Sequence, residues 1–275
     1  MKFSTCYIVL LLFVFSCKEN SKRKKINTTK SVTTVTNWRV RDSLRLDHIL
    51  QEALQNATTL NNKSSFDTLY IVGSTREENA MDVSVQIRFD TLFSKQQRHL
   101  RIRRSTASDT YLNVYAIKNM SFVQKVAHEQ LAMSYINDSI VDINGDKVKD
   151  FLVYSYSNSG CCMRNLYTVY LYDKEVDEFR HKYSFLNPTF SPKDKRIRGF
   201  GYGQPGTVDL YKYKWNGFEI DTLELISSLR NPIDGKKVSD TFYRFNKNGE
   251  IIEKLLQLPK EYLNIDGIEW FLDDL

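Results

Sequence analysis

Apolar residues recur along this chain with two different periods. Between residues 42 and 57, Leu46, Ile49, Leu50, Ala53 and Leu54 fall three and four positions apart, which places them on one face of an α-helix. Asp42 or Ser43 supplies an N-cap and Asn56 a stop, while His48 lies beside the stripe as a helix-surface residue. After "TLNNKSSFD" the period drops to two. Runs at 67–73, 81–93, 99–105, 110–118, 122–130, 133–143, 150–160, 165–173, 179–186, 196–203 and 207–226 are strand-length and rich in β-branched and aromatic residues. In the last run Tyr211, Tyr213 and Trp215 alternate with Lys212 and Lys214, the mark of a half-buried strand, and Asn216-Gly217 predicts a tight hairpin. "TFYRFNKNGEIIEKLL" predicts strand, turn at Asn248-Gly249, and strand, and the last residues a short helix. Asp-Thr-Leu recurs at 67–69, 90–92 and 221–223, too irregularly for a solenoid. The expected fold is mainly β: a single β-propeller-like or multi-sheet antiparallel domain preceded by one helix, together forming residues 38–275.

The amino-terminal segment reads differently. Lys2 precedes an unbroken apolar stretch, residues 7–15, too short to span a bilayer as a helix, so residues 1–16 read as a secretory signal. Val14-Phe15-Ser16-Cys17 resembles a bacterial lipobox, which implies lipidation of Cys17 and attachment to a membrane surface without a spanning segment. An ordinary signal peptide with an incidental cysteine is the competing reading. Residues 17–37 are polar and basic with no amphipathic period, as in a flexible tether. Cys17-Lys18-Glu19 also resembles the start of surface-export signals in Bacteroidetes lipoproteins.

Charge sharpens this division. Residues 1–37 hold seven basic residues against one acid, and the rest of the chain carries 32 of each. The basic balance belongs to leader and tether, so the folded part gives no electrostatic reason to bind nucleic acid. With Cys6 in the leader and Cys17 at the lipobox, only Cys161 and Cys162 remain. Adjacent cysteines close a strained ring, and an oxidising envelope permits it; a vicinal disulfide and two buried thiols both stay open. Two sulfurs without a neighbouring His or third Cys do not make a zinc site.

The densest polar chemistry lies in "VDINGDKVKDF", residues 141–151. Asp142, Asn144, Asp146 and Asp150 occupy positions 1, 3, 5 and 9, and the carbonyl of Val148 stands at position 7. Hard cations such as Ca²⁺ take six to eight oxygens from turns of this kind. Lys147 and Val153 replace the Gly and Glu of an EF-hand, and the flanks are strands, so the loop is no helix–loop–helix. Carboxylates this close repel one another, and glycoside hydrolysis wants two acids facing across a bond, so no catalytic role is assigned to them. "GYGQPG" (201–206) has the glycines of a dinucleotide fingerprint but is followed by strand and contains Pro205. His128-Glu129 lacks a second His four residues on, and His99 and His181 are isolated.

The loop resembles the Asp-rich loops of FG-GAP repeats in calcium-binding β-propellers. Asp142, Asn144, Asp146 and Asp150 match them position by position, and Lys147 departs from their usual Gly. From about 133 to 226 the order of an Asp-rich loop, "NSGCCMRN", an aromatic strand, "NPTF" and "YKWNG" resembles bacterial envelope β-propeller proteins. That group includes periplasmic lysozyme inhibitors and immunity proteins against peptidoglycan-cleaving effectors. The resemblance implies a structural Ca²⁺, a protein partner (a lysozyme-like enzyme) or a glycan, and no enzymatic activity of its own. "NSGCCMRN" (158–165) and "GYGQPG" are the candidate protruding loops. A structural or assembly lipoprotein of the envelope, and a glycan-acting hydrolase, are the alternatives.

Overall fold

A computed structural model of the chain describes residues 32–60, 62–73, 81–119, 121–156, 162, 165–231, 233 and 237–273, with side chains from residue 40 onward. The chain divides into two units, Met1–Ser43 and Leu44–Leu275. The first is described only over its helical residues 32–43. The second carries every described strand.

Helix α1 (Val32–Thr59) begins ten residues before the expected cap, so residues 32–37 of the stretch read as tether are helical. No Gly or Pro interrupts residues 32–41, and β-branched residues weaken a helix by only a few tenths of a kcal/mol each, roughly. At the other end Thr58 and Thr59 donate their hydroxyls to the carbonyls of Leu54 and Asn56, which carries the last turn past Asn56.

Among the described residues fifteen strands follow, each antiparallel to its sequence neighbour within its sheet. Sheet A is β1 (Phe66–Val72), β2 (Val83–Asp90), β3 (His99–Ser105), β4 (Asp109–Lys118) and β5 (Ser121–Leu131). Sheet B is β6 (Tyr135–Val141), β7 (Asp150–Tyr156), β8 (Asn165–Asp173) and β9 (Glu178–Leu186). Sheet C is β10 (Pro188–Ser191), β11 (Arg196–Phe200), β12 (Leu210–Asn216), β13 (Glu219–Arg230), β14 (Lys237–Phe245) and β15 (Ile251–Leu255). The protein is therefore mainly β, with three antiparallel meanders and a leading helix. Short hairpin connections explain the consecutive pairing. The Asn216-Gly217 hairpin forms as expected, with Gly217 at φ 64°.

The alternation along each strand decides how the sheets stack. Leu46, Ile49, Ala53 and Ala57 of α1 pack on Val85, Ile87, Phe89, Leu100 and Ile102 of sheet A. The opposite face of sheet A, through Leu112, Val114 and Val126, meets Phe151, Val153, Tyr170 and Tyr172 of sheet B. The next residues along those sheet B strands, Leu152, Val169 and Leu171, point the other way onto Ile197, Tyr211 and Trp215 of sheet C. The far side of sheet C, with Phe200, Leu210, Ile226 and Phe242, is covered by Leu258, Tyr262, Ile265 and Phe271 of the carboxy-terminal segment. That segment ends in helix α2 (Ile268–Leu272). The order of layers is helix, sheet, sheet, sheet, helical cap.

One side-chain assignment changes. Tyr211, Tyr213 and Trp215 do share the face toward sheet B, but Lys212 is buried rather than solvated. Its Nζ lies 2.6 Å from Glu224 and 2.8 Å from Glu261, beneath the cap. Strand β10 also escaped the period reading. The corner into it is Asn187, at φ 46°, whose side chain accepts the backbone N–H of Asn165 at 2.9 Å.

Candidate functional site

The 142–149 loop closes the β6–β7 hairpin, between the register partners Val141 and Asp150. Its acids first serve its own backbone. Asp142 accepts from the N–H groups of Gly145 (2.7 Å) and Lys147 (2.9 Å). Asn144 accepts from Asp146 N–H, and Asp146 from Val148 N–H. Asp150 is fully buried and accepts from the N–H of Ile143 and, across the sheet, of Tyr172, both at 3.0 Å. These turns reconcile a polar loop with burial, because each carboxylate oxygen meets a donor.

The loop also ties two sheets together. Asn144 donates to the Gly217 carbonyl at 3.4 Å, in the β12–β13 hairpin of sheet C. Gly145 sits at φ 76° against the backbone of Pro192, whose carbonyl oxygen a Cβ would meet at 2.1 Å. Only glycine fits there. Lys147 holds φ 69°, the left-handed region, so the position where FG-GAP loops carry Gly has here the backbone that favours Gly.

The donor set suits a hard cation in type: three carboxylates, a carboxamide and a main-chain carbonyl. A carboxylate oxygen that accepts one N–H keeps a second lone pair. Burial pushes the Asp150 carboxyl up to about 7, against the two N–H groups that lower it, and Asp146 and Asp142 add to the rise. A buried, crowded negative charge of this kind is what a divalent ion would relieve. Among the described residues, however, no three His, Cys, Asp or Glu side chains converge as a metal group.

The other sequence-derived positions scatter. Cys17 and Cys161 lie outside the described residues; Cys162 is described and buried. Of "NSGCCMRN" only Cys162 and Asn165 are described. The "GYGQPG" loop is held by the cap: Trp270 donates its indole N–H to Gly203 O at 2.9 Å, and Gly206 N–H donates to Trp270 O at 2.8 Å. No helix starts after it, and β12 follows. Among the described residues no helix is long and apolar enough to cross a membrane.

Sequence reading missed two ionic clusters between sheets A and B. Asp138, with a fully buried side chain, accepts from Arg101, from Arg103 at 3.2 Å and from the Tyr135 hydroxyl. The alternation Arg101-x-Arg103 in "HLRIRR" was the available signal, since it aims both guanidinium groups at one face. The second gathers Lys118 and Lys125 around Asp177, at 3.5 and 3.7 Å from its Oδ2, with the buried His99 Nε2 3.4 Å from Oδ1, and nothing in their spacing announces it. His128, read as isolated from a metal motif, meets the Tyr170 hydroxyl at 2.8 Å and Gln130 at 3.1 Å.

Comparison of the chain with known protein families, with curated proteins and with solved structures returns no match in any of the three.

Proposed function

We propose that the protein is a non-enzymatic, lipid-anchored binding protein of the bacterial cell envelope that inhibits a lysozyme-like peptidoglycan hydrolase. The observation that carries this reading is the order of the parts. An apolar leader ends at Ser16-Cys17, a basic segment follows, and then comes a β body with both outer sheet faces covered by helical elements. Lipid chains on Cys17 hold the body at the membrane surface, and its hairpin loops meet the partner. The three face-to-face meanders are blade-like, which supports a propeller-like kinship.

In this reading Asp142, Asn144, Asp146, the Val148 carbonyl and Asp150 hold a structural Ca²⁺. It adds rigidity to a loop that already clasps sheets B and C. Support comes from the hard-oxygen donor set and the buried Asp150 charge.

Fractionation of cells carrying Cys17→Ala tests the anchor; the variant is expected to leave the membrane fraction, and retention there sinks that part. An inhibition assay of the purified protein against lysozyme-like hydrolases tests the activity. Undiminished hydrolysis at stoichiometric excess, across a panel of such enzymes, rejects it. For the ion, EDTA is expected to lower the melting temperature. An unchanged melt, with no calcium found by mass spectrometry, rejects the ion.

A further inference from the structure

Sheet B is narrower than the face of sheet A against which it packs. Its edge strand, β6, places Asp138 against Arg101 and Arg103 of β3 and so reaches only the third strand of sheet A. The same face continues onto β2 and β1, where Arg101 bonds Gln86 and Gln86 stands directly opposite Leu69. Among the described residues no strand of sheet B lies over that shelf, and Leu69 and Ile71 are 66 % and 70 % exposed. A cleft of about 220 Å³ separates the shelf from β6. Residues 138–141 form one wall, with Arg88, Asp90 and Lys149 around it. We propose that an extended segment of a partner protein adds to β6 as a fifth strand of sheet B, with one acidic and two apolar side chains at alternate positions facing the shelf.

The backbone of β6 is set to receive a strand. Tyr156 donates its N–H to the Ser134 carbonyl, and the β6–β7 register then skips Ile136. Alternation from there turns residues 137, 139 and 141 toward β7, and turns the N–H and C=O of Asp138 and Ile140 outward. The Asp138 N–H is met by the side-chain oxygen of Asn137 at 2.8 Å, in place of a strand. Outward groups of this kind template a further strand. Residues opposite Asp138 and Ile140 share their face and point at the shelf. Alternate side chains of a strand stand roughly 6.6 Å apart, which matches the two-residue step from Leu69 to Ile71.

Charge selects the acid. The carboxylates here are engaged: Asp138 by two guanidinium groups and Tyr135, Asp67 by the Gln86 amide at 3.1 Å, and Asp90 by Thr91 N–H at 2.7 Å. Arg88 and Lys149 are exposed, and among the described residues neither has an ion-pair partner. The unmatched charge is therefore positive, and a carboxylate complements it. Position fixes the order. Arg88 and Lys149 lie at the Val141 end of β6, whereas Tyr135, at the other end, meets Arg103, which stands across β2 from Leu69. A strand antiparallel to β6 thus carries its acid first and its apolar residues third and fifth. A second copy cannot fill the place by pairing β6 with β6, because the two-fold axis would bring both β1–β2 shelves into one volume.

This inference stands apart from hydrolase inhibition, and its test involves no hydrolase. The probe is a fluorescently labelled, capped pentapeptide of glutamate, threonine, valine, threonine and valine, titrated with the full-length protein and read by anisotropy. Saturable binding with a Kd of about 100 µM or tighter is expected, and about tenfold weaker binding when lysine replaces the glutamate. Arg88→Glu, and Leu69→Thr combined with Ile71→Thr, are surface changes that should each weaken binding by a similar factor. A further arm leaves the protein untouched. N-methylation of the glutamate and first valine, whose N–H groups face β6, should abolish binding, and N-methylation of the two threonines should spare it. No saturable binding up to about 1 mM, equal binding of the lysine peptide, indifference to the shelf variants, or equal effects of the two methylation patterns would each overturn the proposal. Without peptide the protein is expected to sediment as a monomer; a dimer broken by Arg88→Glu would put a second copy on this edge and overturn it too.

Discussion

Single positions carry much of the physics of this protein, and Lys147 is the plainest. Its left-handed φ of 69° costs a side chain with a Cβ, and the Gly common at this place in FG-GAP loops would not feel it. Lys147→Gly is therefore expected to stabilise by about 0.5–1 kcal/mol after the added entropy of an unfolded glycine. Urea denaturation reads this, and a loss of stability would show that the Lys147 side chain matters more than its backbone. Asp138 presents the opposite case. It is the shared acceptor of Arg101, Arg103 and Tyr135, so Asp138→Ala leaves Arg101 buried without its anion, and a loss of about 3–5 kcal/mol is expected. His99 adds a pH dependence. Burial lowers its pKa below the usual 6.5, Asp177 pulls it up and Lys125 pushes it down, with the lowering dominant. The fold thus holds a neutral ring, while the unfolded chain takes up a proton below about 6.5. Its contribution to stability is full above that value and is lost as pH falls toward the folded pKa. His128, lowered in the same way by burial, acts in the same direction. His99→Gln should flatten the fall in melting temperature between about pH 7.5 and pH 5; an unaltered slope would place the titration elsewhere.

At the scale of elements, the two ends of the body do the same job with different parts. α1 covers sheet A with small and aliphatic side chains, and Arg104 beneath it donates to the Leu46 carbonyl at 2.6 Å. The carboxy-terminal segment covers sheet C with Tyr262 and Phe271, and Glu261 receives Lys212 and Arg198 from the strands below. Truncation after Leu258 would bare Phe200, Leu210, Ile226 and Phe242 together, an exposed patch of the kind that drives aggregation. Light scattering of the truncated protein is expected to show association at concentrations where the full chain is monodisperse; a monodisperse truncation would mean the cap is dispensable. Most of these elements were legible in the sequence. Strand-length runs rich in β-branched and aromatic residues located fourteen of the fifteen described strands, including β7 and β8, which bury both faces and show little alternation, and β10 was missed because four residues starting with Pro make too short a run. Lys212 was read as solvated because alternation reports which residues share a face and not what covers that face. For the site, the spacing of Asp142, Asn144, Asp146 and Asp150 pointed to one loop, which does form. Its tie to Gly217 and the meeting of His99 with Asp177 depend on the packing of sheets, which no local pattern encodes.

Taken whole, the body is a one-dimensional stack. The core divides into four clusters, α1 with A, A with B, B with C, and C with the cap, so each layer is stabilised by its immediate neighbours. In repeat architectures such nearest-neighbour coupling lets one layer loosen before the rest. Trp215 is the place to test this here. It is almost wholly buried and lies against Tyr183 and Phe185 of sheet B, at ring distances of 5.5 and 5.9 Å. Trp215→Ala should cost about 3–5 kcal/mol, all of it at the B–C layer. Hydrogen exchange followed by mass spectrometry is then expected to show faster exchange in β10–β15, little change in β2–β4, and an intermediate response in β6–β9. Uniformly faster exchange through all three sheets would instead mean that the stack opens as one cooperative unit. In that case the Asn144–Gly217 clasp, and any ion bound beside it, would govern the stability of the entire body rather than of the B–C junction alone.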